Sequence, residues 1–166
     1  MIWNAIANKL TSFFPESRFF KTKNFIYRVL CKFEIHPSVR MFSSFNIVGV
    51  ENIQIGQDTF LGHESLIMGA NNTKVVIGDF VDISSRVSVI TGTHEVDLSG
   101  RHIAGKGTGK DIFIDNGAWI GFGSIILPGV KIGKKSIVAA GSIVINDVPD
   151  FCMVAGNPAV IKKYLK

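Results

Sequence analysis

An aliphatic residue returns at every sixth position through most of this chain, a period that no standard secondary structure has. From Ile35 the sequence divides into IHPSVR, MFSSFN and IVGVEN, and after Ile53 and Gln54 into IGQDTF, LGHESL and IMGANN. A four-residue slip from Thr73 to Val76 precedes IGDFVD, ISSRVS and VITGTH. After a longer break come IDNGAW, IGFGSI, ILPGVK, IGKKSI, VAAGSI and VINDVP. Helices return apolar residues at three and four positions and strands at two. A strict six instead fits three short extended faces per turn, with the leading aliphatic of each hexad pointing inward.

Each eighteen-residue triplet then makes one triangular coil, and glycine or a small residue takes the corners, where a Cβ opposes the required backbone angles. Coils stack at strand spacing of about 4.8 Å, so roughly five of them build a prism some 24 Å tall. The expected fold is all-β: a parallel β-helix of about five coils over residues 35–160, with an N-terminal helical segment and a short C-terminal helix. The competing arrangement is a sandwich or barrel of short strands whose glycine turns mimic the repeat.

The first 34 residues do not join the repeat. Trp3, Ile6, Leu10, Phe13 and Phe14 fall at helical spacing up to Pro15, and a second apolar cluster runs through Phe19, Phe20, Phe25, Ile26 and Leu30. Two short helices are expected, either capping the open end of the prism or resting on a membrane surface. Charge separates this segment from the rest. Residues 1 to 32 carry six basic residues and one acid, whereas the remaining twelve basic and twelve acidic residues cancel. A positive field confined to one end argues against a nucleic-acid groove across the domain. With 46% hydrophobic and 19% charged residues the chain fits one globular domain. Only Cys31 and Cys152 are present, which suggests neither a disulfide framework nor a CxxC site and implies a reducing, cytoplasmic setting. The start does not read as a signal peptide, and no stretch has the length and apolarity of a spanning helix.

The repeat, the THEVD segment at residues 93–97, the WIG at 119–121 and the GNPA at 156–159 together resemble the hexapeptide-repeat acyltransferases, whose fold is a left-handed parallel β-helix. The resemblance covers residues 35–160 and is most specific from Ile114 to Ala159. It implies acetyl-CoA as acyl donor, a hydroxyl-bearing sugar or glycan as acceptor, and a homotrimer with clefts between neighbouring prisms.

Several residues take roles from this resemblance. His94, at the root of a polar, glycine-rich excursion over residues 95–113, matches the general base. Histidine suits that task because a neutral ring accepts a proton near neutral pH. Either Glu95 or Asp97 is expected to hold the second ring nitrogen, and Asp97 matches the family position. The alternative is a solvated loop charge paired with Arg101 or Lys106. Trp119 is placed beside the cleft, and His63 and Glu64 near the acceptor. The maltose and galactoside enzymes carry an asparagine where this chain has Glu64 and an aspartate where it has Asn72, so their sugar specificity does not carry over. His36 and His102 read as structural or solvent-facing.

On the donor side, Gly121 and Phe122 match the thioester end, Ala140 the pantetheine arm, and Ile145 and Asn146 positions further along. Val160 replaces the usual basic residue after GNPA, which leaves Lys163, with Lys162 as substitute, to meet a CoA phosphate. The sequence thus predicts an O-acetyltransferase of polysaccharide or glycolipid biosynthesis. The alternatives are an amino-sugar N-acyltransferase, a carbonic-anhydrase-like metal enzyme drawing on His63, His94 and His102, and a non-catalytic module. The basic residues 1–32 leave peripheral contact with the inner face of a membrane as a further expectation.

Overall fold

The computed structural model describes residues 2–70 and 72–165; Met1, Asn71 and Lys166 lie outside that description. Two helices come first, α1 (Ile2–Thr11) and α2 (Phe20–Cys31). The first coil follows with β1 (Glu34–Ile35), β2 (Arg40–Met41) and β3 (Asn46–Val48), and the second with β4 (Asn52–Ile55), β5 (Phe60–Leu61) and β6 (Leu66–Met68). The third contains β7 (Lys74–Ile77), β8 (Asp82–Ile83) and β9 (Ser88–Ile90), and is followed by a hairpin of β10 (Gly92–Val96) and β11 (Ala104–Gly109). The fourth has β12 (Ile112–Ile114), β13 (Trp119–Ile120) and β14 (Ile125–Ile126), and the fifth β15 (Lys131–Ile132), β16 (Ile137–Val138) and β17 (Ile143–Val144). After these come β18 (Cys152–Gly156) and β19 (Ala159–Tyr164).

The coils stack in parallel register as three sheets. Sheet A runs β1-β4-β7-β12-β15, sheet B runs β2-β5-β8-β13-β16-β18-β19, and sheet C runs β3-β6-β9-β14-β17. On sheet A the leading residues Ile35, Ile55, Ile77, Ile114 and Ile132 lie directly above one another. On sheet B the corresponding ladder includes Leu61, Ile83, Ile120 and Val138. Every leading aliphatic of the fifteen hexads is buried, so the six-residue period is the core itself.

Corners obey a second rule. The fourth hexad position takes a left-handed backbone at Asp58, Glu64, Phe80, Arg86, Gly117, Gly123, Gly129, Lys135 and Gly141. Left-handed geometry disfavours a side chain by roughly 1–2 kcal/mol, yet five of these nine positions carry one. One position on, buried hydroxyls tie one coil to the next: Thr59 Oγ1 donates to the Gly78 carbonyl and Ser65 Oγ to that of Ser84, both at 2.8 Å.

The open edge of the first coil explains how the helices attach. Its strands have no preceding coil to pair with, and buried backbone groups require partners. Asn8 supplies them by donating from Nδ2 to the Ile47 carbonyl at 2.9 Å and accepting from the Ile47 N–H at 3.2 Å. Asn4 donates to the Val50 carbonyl and Asn24 to that of Val39. The inward face is therefore polar, and the apolar residues that mark α1 in the sequence, Trp3, Ile6, Leu10 and Phe13, are exposed instead.

Lys23 lies wholly buried under this cap, donating to the Glu16 carbonyl and to Ser43 Oγ. Burial pushes its ammonium from the ordinary 10.5 down to about 8, against the opposing pull of the Glu16 carboxylate. Between those values the unfolded chain holds more protons at this site, so folding stability rises with pH there. The urea midpoint of the wild type should accordingly climb from about pH 7.5 to about pH 9.5 relative to that of Lys23→Met. Parallel behaviour of the two proteins would contradict this reading.

Two expected elements differ. The C-terminal helix is instead β19, antiparallel to β18 with Ala155 opposite Val160 and Met153 opposite Lys163. By returning on itself the chain pairs backbone groups at the other end of sheet B. The excursion at 95–113 is largely the β10–β11 hairpin, with Gly92 opposite Gly109 and His94 opposite Gly107.

Candidate active site

The hairpin leaves the prism at the corner between sheets C and A, where every insertion that interrupts the repeat is found. His94 lies on its first strand, and His94 Nδ1 is 2.9 Å from the Gly105 carbonyl oxygen. That oxygen can only accept, so Nδ1 carries the proton and Nε2 is left with a free lone pair. An exposed groove of about 320 Å³ beside the ring is lined by Met68, Ala70, Ile90, Thr93, Gly107 and Thr108 among others.

The partner of the ring is a backbone group, which no reading of side chains could supply. Asp97 faces elsewhere: its Oδ1 accepts from the Ser99 N–H at 2.9 Å, from Ser99 Oγ at 2.8 Å and from the Gly100 N–H at 2.9 Å. Those hydrogen bonds, Ser99 foremost, hold its carboxyl below the usual carboxylate range. The expected Asp97–His94 contact is thus replaced by a turn that closes the hairpin, because the acid satisfies nearby N–H groups first. Gly105 is constrained in its turn. A Cβ there would come within 2.8 Å of Asp97 Cβ and 3.2 Å of the Glu95 carbonyl oxygen, at the irregular register between His94 and Val96.

A second constellation occupies the opposite edge of sheet C, at its corner with sheet B. Here Glu64 and Arg86, both left-handed, stack with Arg86 Nε 2.7 Å from Glu64 Oε2. Arg86, by hydrogen bond and then by charge, draws the Glu64 carboxyl below its ordinary value. His63 bridges Glu64 and Glu16 at 3.3 and 3.4 Å, and its Nδ1 lies 2.8 Å from Ser44 Oγ. Above this charged cluster the Arg86 guanidinium is 5.9 Å from the centre of the Phe122 ring. Further up the side chains vanish: a Cβ built on Gly123 or Gly141 would meet nothing within 4 Å. Gly121 differs, since a Cβ would strike Ala140 N at 2.5 Å.

The corner therefore brings together His63, Glu64, Gly121, Phe122 and Ala140. Trp119 stands nearby on the outer face of sheet B, exposed, with Nε1 3.4 Å from Ser84 Oγ. Asn72 lies on the turn before β7, and Ile145 and Asn146 at the far end of sheet C; Lys162 and Lys163 project from β19. Within one chain none of these residues lines the His94 groove. The sequence gives no sign of Arg86 or Gly105 as participants, because one acts through an ion pair across coils and the other through its carbonyl. Among the described residues no group of three histidine, cysteine or acidic side chains could hold a metal ion, so His63, His94 and His102 do not converge.

Fold and repeat together define a class of stacked-coil transferases. The bacterial transferase hexapeptide (six repeats) family matches residues 111–146. Nodulation protein L of Rhizobium meliloti is 40% identical over 129 residues, covering 78% of this chain and 69% of that protein. Galactoside O-acetyltransferase of Lactococcus lactis is 33% identical over 117 residues, covering 69% and 54%. A hexapeptide-repeat-containing acetyltransferase of Vibrio cholerae, solved in complex with acetyl coenzyme A, superposes with a TM-score of 0.74 at 28% identity, over 99% of this chain and 88% of that one. The chain belongs to the hexapeptide-repeat acyltransferase family. It spans about half the length of the first curated relatives that it matches.

Proposed function

We propose that this chain is a CoA-dependent O-acetyltransferase that moves the acetyl group of acetyl-CoA to a sugar hydroxyl, in a polysaccharide or glycolipid precursor. The observation that carries the proposal is the tautomer of His94, which leaves Nε2 free to accept a proton beside an open groove. Nε2 takes the hydroxyl proton as the sugar oxygen attacks the thioester carbonyl carbon. The resulting oxyanion is stabilised by a backbone N–H at the coil edge. Its collapse breaks the C–S bond, and the leaving sulfur takes the proton back from the imidazolium. Ester and free CoA thiol are released, and the histidine is neutral again.

The separation of the two constellations across sheet C favours a trimer with composite clefts. Outward residues of that sheet, including Leu66, Met68, Ile90, Ile125, Ile143 and Ile145, form an apolar face of the kind that packs against another copy. Packing of that kind sets His94 of one prism against the Glu64–Phe122 corner of the next. The pantetheine arm follows the open backbone at Phe122, Gly123, Ala140 and Gly141, and passes Ile145 and Asn146. Lys162 and Lys163 provide charge for a CoA phosphate. Trp119 walls the cleft, and His63, Glu64 and Asn72 border the acceptor. The enzyme works on the cytoplasmic side, where acetyl-CoA is supplied.

Thiol release from acetyl-CoA, followed across a panel of glycans, tests this function. Release that requires a glycan with a free hydroxyl is expected. No release with any glycan, or release with amino sugars alone, would overturn it.

A further inference from the structure

The helical end of the prism meets the first coil largely through polar side chains, with Ala7, Ile26 and Leu30 joining the core. Both helices lie against the first coil, α1 at β3 and α2 at β1 and β2. They turn Asn4, Asn8, Thr11, Lys23, Asn24 and Tyr27 inward. Packing against unpaired backbone requires that polarity, but nothing in this fold requires the opposite face to be apolar. Even so, α1 presents Ile2, Trp3, Ile6 and Leu10 to solvent and Phe13 follows in the next turn, with Ile2 70% and Phe13 74% exposed. On the outward side of α2, Phe25 and Val29 are exposed as well.

The two helices and their flanking turns also carry Lys9, Arg18, Lys21, Arg28 and Lys32, all exposed; Lys9 Nζ is 5.4 Å from the centre of the Phe13 ring, and Arg28 and Lys32 line a groove together with Phe25 and Val29. The one acid of residues 1–32, Glu16, is turned away and accepts from the Ser44 N–H and Oγ at 3.1 Å beside His63. The helical end therefore combines large exposed apolar side chains with positive charge that, among the described residues, no ion pair offsets. Two such faces from separate copies would repel each other. A surface of anionic lipid headgroups would accept the cations, while its acyl boundary takes up the aromatic and aliphatic side chains.

We infer that the α1–α2 face is a docking surface for anionic membranes. Among the described residues no helix is long and apolar enough to cross a bilayer, so the contact is peripheral. It rests on charge and shape at the end of the prism and does not depend on the proposed catalysis. A docked prism presents its coils above the headgroups, where a lipid-linked glycan would be within reach.

Vesicle flotation with the full chain tests the inference. The probes are vesicles of phosphatidylcholine alone and vesicles containing about 30 mol% phosphatidylglycerol, at about 0.15 M salt. Binding to the anionic vesicles only is expected, together with release at about 1 M salt. Ile6→Glu/Phe13→Glu should weaken binding at least about tenfold while circular dichroism and light-scattering mass are unchanged. Lys21→Glu/Arg28→Glu, which touches no apolar side chain, should weaken it comparably. Lack of binding by the wild type, equal binding to both vesicle types, or wild-type binding by both variants would overturn the inference. A lower light-scattering mass in Ile6→Glu/Phe13→Glu would overturn it too, by marking the face as an interface between copies.

Discussion

Replacing His94 with alanine lowers turnover by about 10²- to 10⁴-fold, the range that general-base assistance supplies, or roughly 3–5.5 kcal/mol of barrier. The KM for acetyl-CoA remains within about twofold, because the ring takes the acceptor's proton during the chemical step and holds none of the donor's binding groups. Asp97→Asn is the informative companion. An amide retains an oxygen for Ser99 and Gly100, so turnover stays within about threefold of the wild type. Were Asp97 the orienting acid, the same change would cost up to about 10⁴-fold, as loss of the correct tautomer does in a serine protease triad. Wild-type turnover in His94→Ala would remove the proposed mechanism, and collapse of activity in Asp97→Asn would remove the Gly105 carbonyl as the group that orients the ring.

The second large effect is on stability. Ile120 is fully buried between Ile83 and Val138 on the inward ladder of sheet B. Truncation to alanine leaves a cavity that the coils above and below cannot close, since their positions are fixed by backbone pairing along all three sheets. A loss of about 2–5 kcal/mol is expected, which for a chain of this size lowers the melting temperature by about 5–15 °C. Ile161→Ala, at an exposed position on β19, should change stability by no more than about 0.5 kcal/mol. Thermal unfolding followed by circular dichroism distinguishes the two. Equal, small shifts in both variants would mean that the hexad leaders are not the source of cohesion.

How much could be read in advance depended on whether the relevant physics is local. The six-residue period named the buried ladders residue by residue, because a repeating backbone puts the same position in the same environment each time. It also marked the hairpin, as the place where the period fails after His94. The apolar spacing of α1 located the helix but left open which of its faces meets the protein. Helical periodicity reports only that one side differs from the other, and here the side against the protein had to pair with bare backbone. The tail after GNPA was expected as a helix and pairs as a strand, because an open sheet edge outweighs local preference.

The candidate site divides along the same line. His94 stood out by its place at the break in the repeat, and its proposed role, like those of Phe122 and Ala140, came from the family resemblance. The Gly105 carbonyl, the closure of Asp97 on Ser99, and the ion pair of Glu64 with Arg86 all join positions whose proximity is set by coil stacking or strand register. By itself the sequence determined a prism of aliphatic ladders, its corners, and the point at which a histidine leaves it. Tertiary structure decided which atom holds that histidine, which carboxylates are already engaged, and which face of the first helix meets solvent. Hydrogen bonds form between groups that the fold brings within about 3 Å, and no period along the chain encodes that distance.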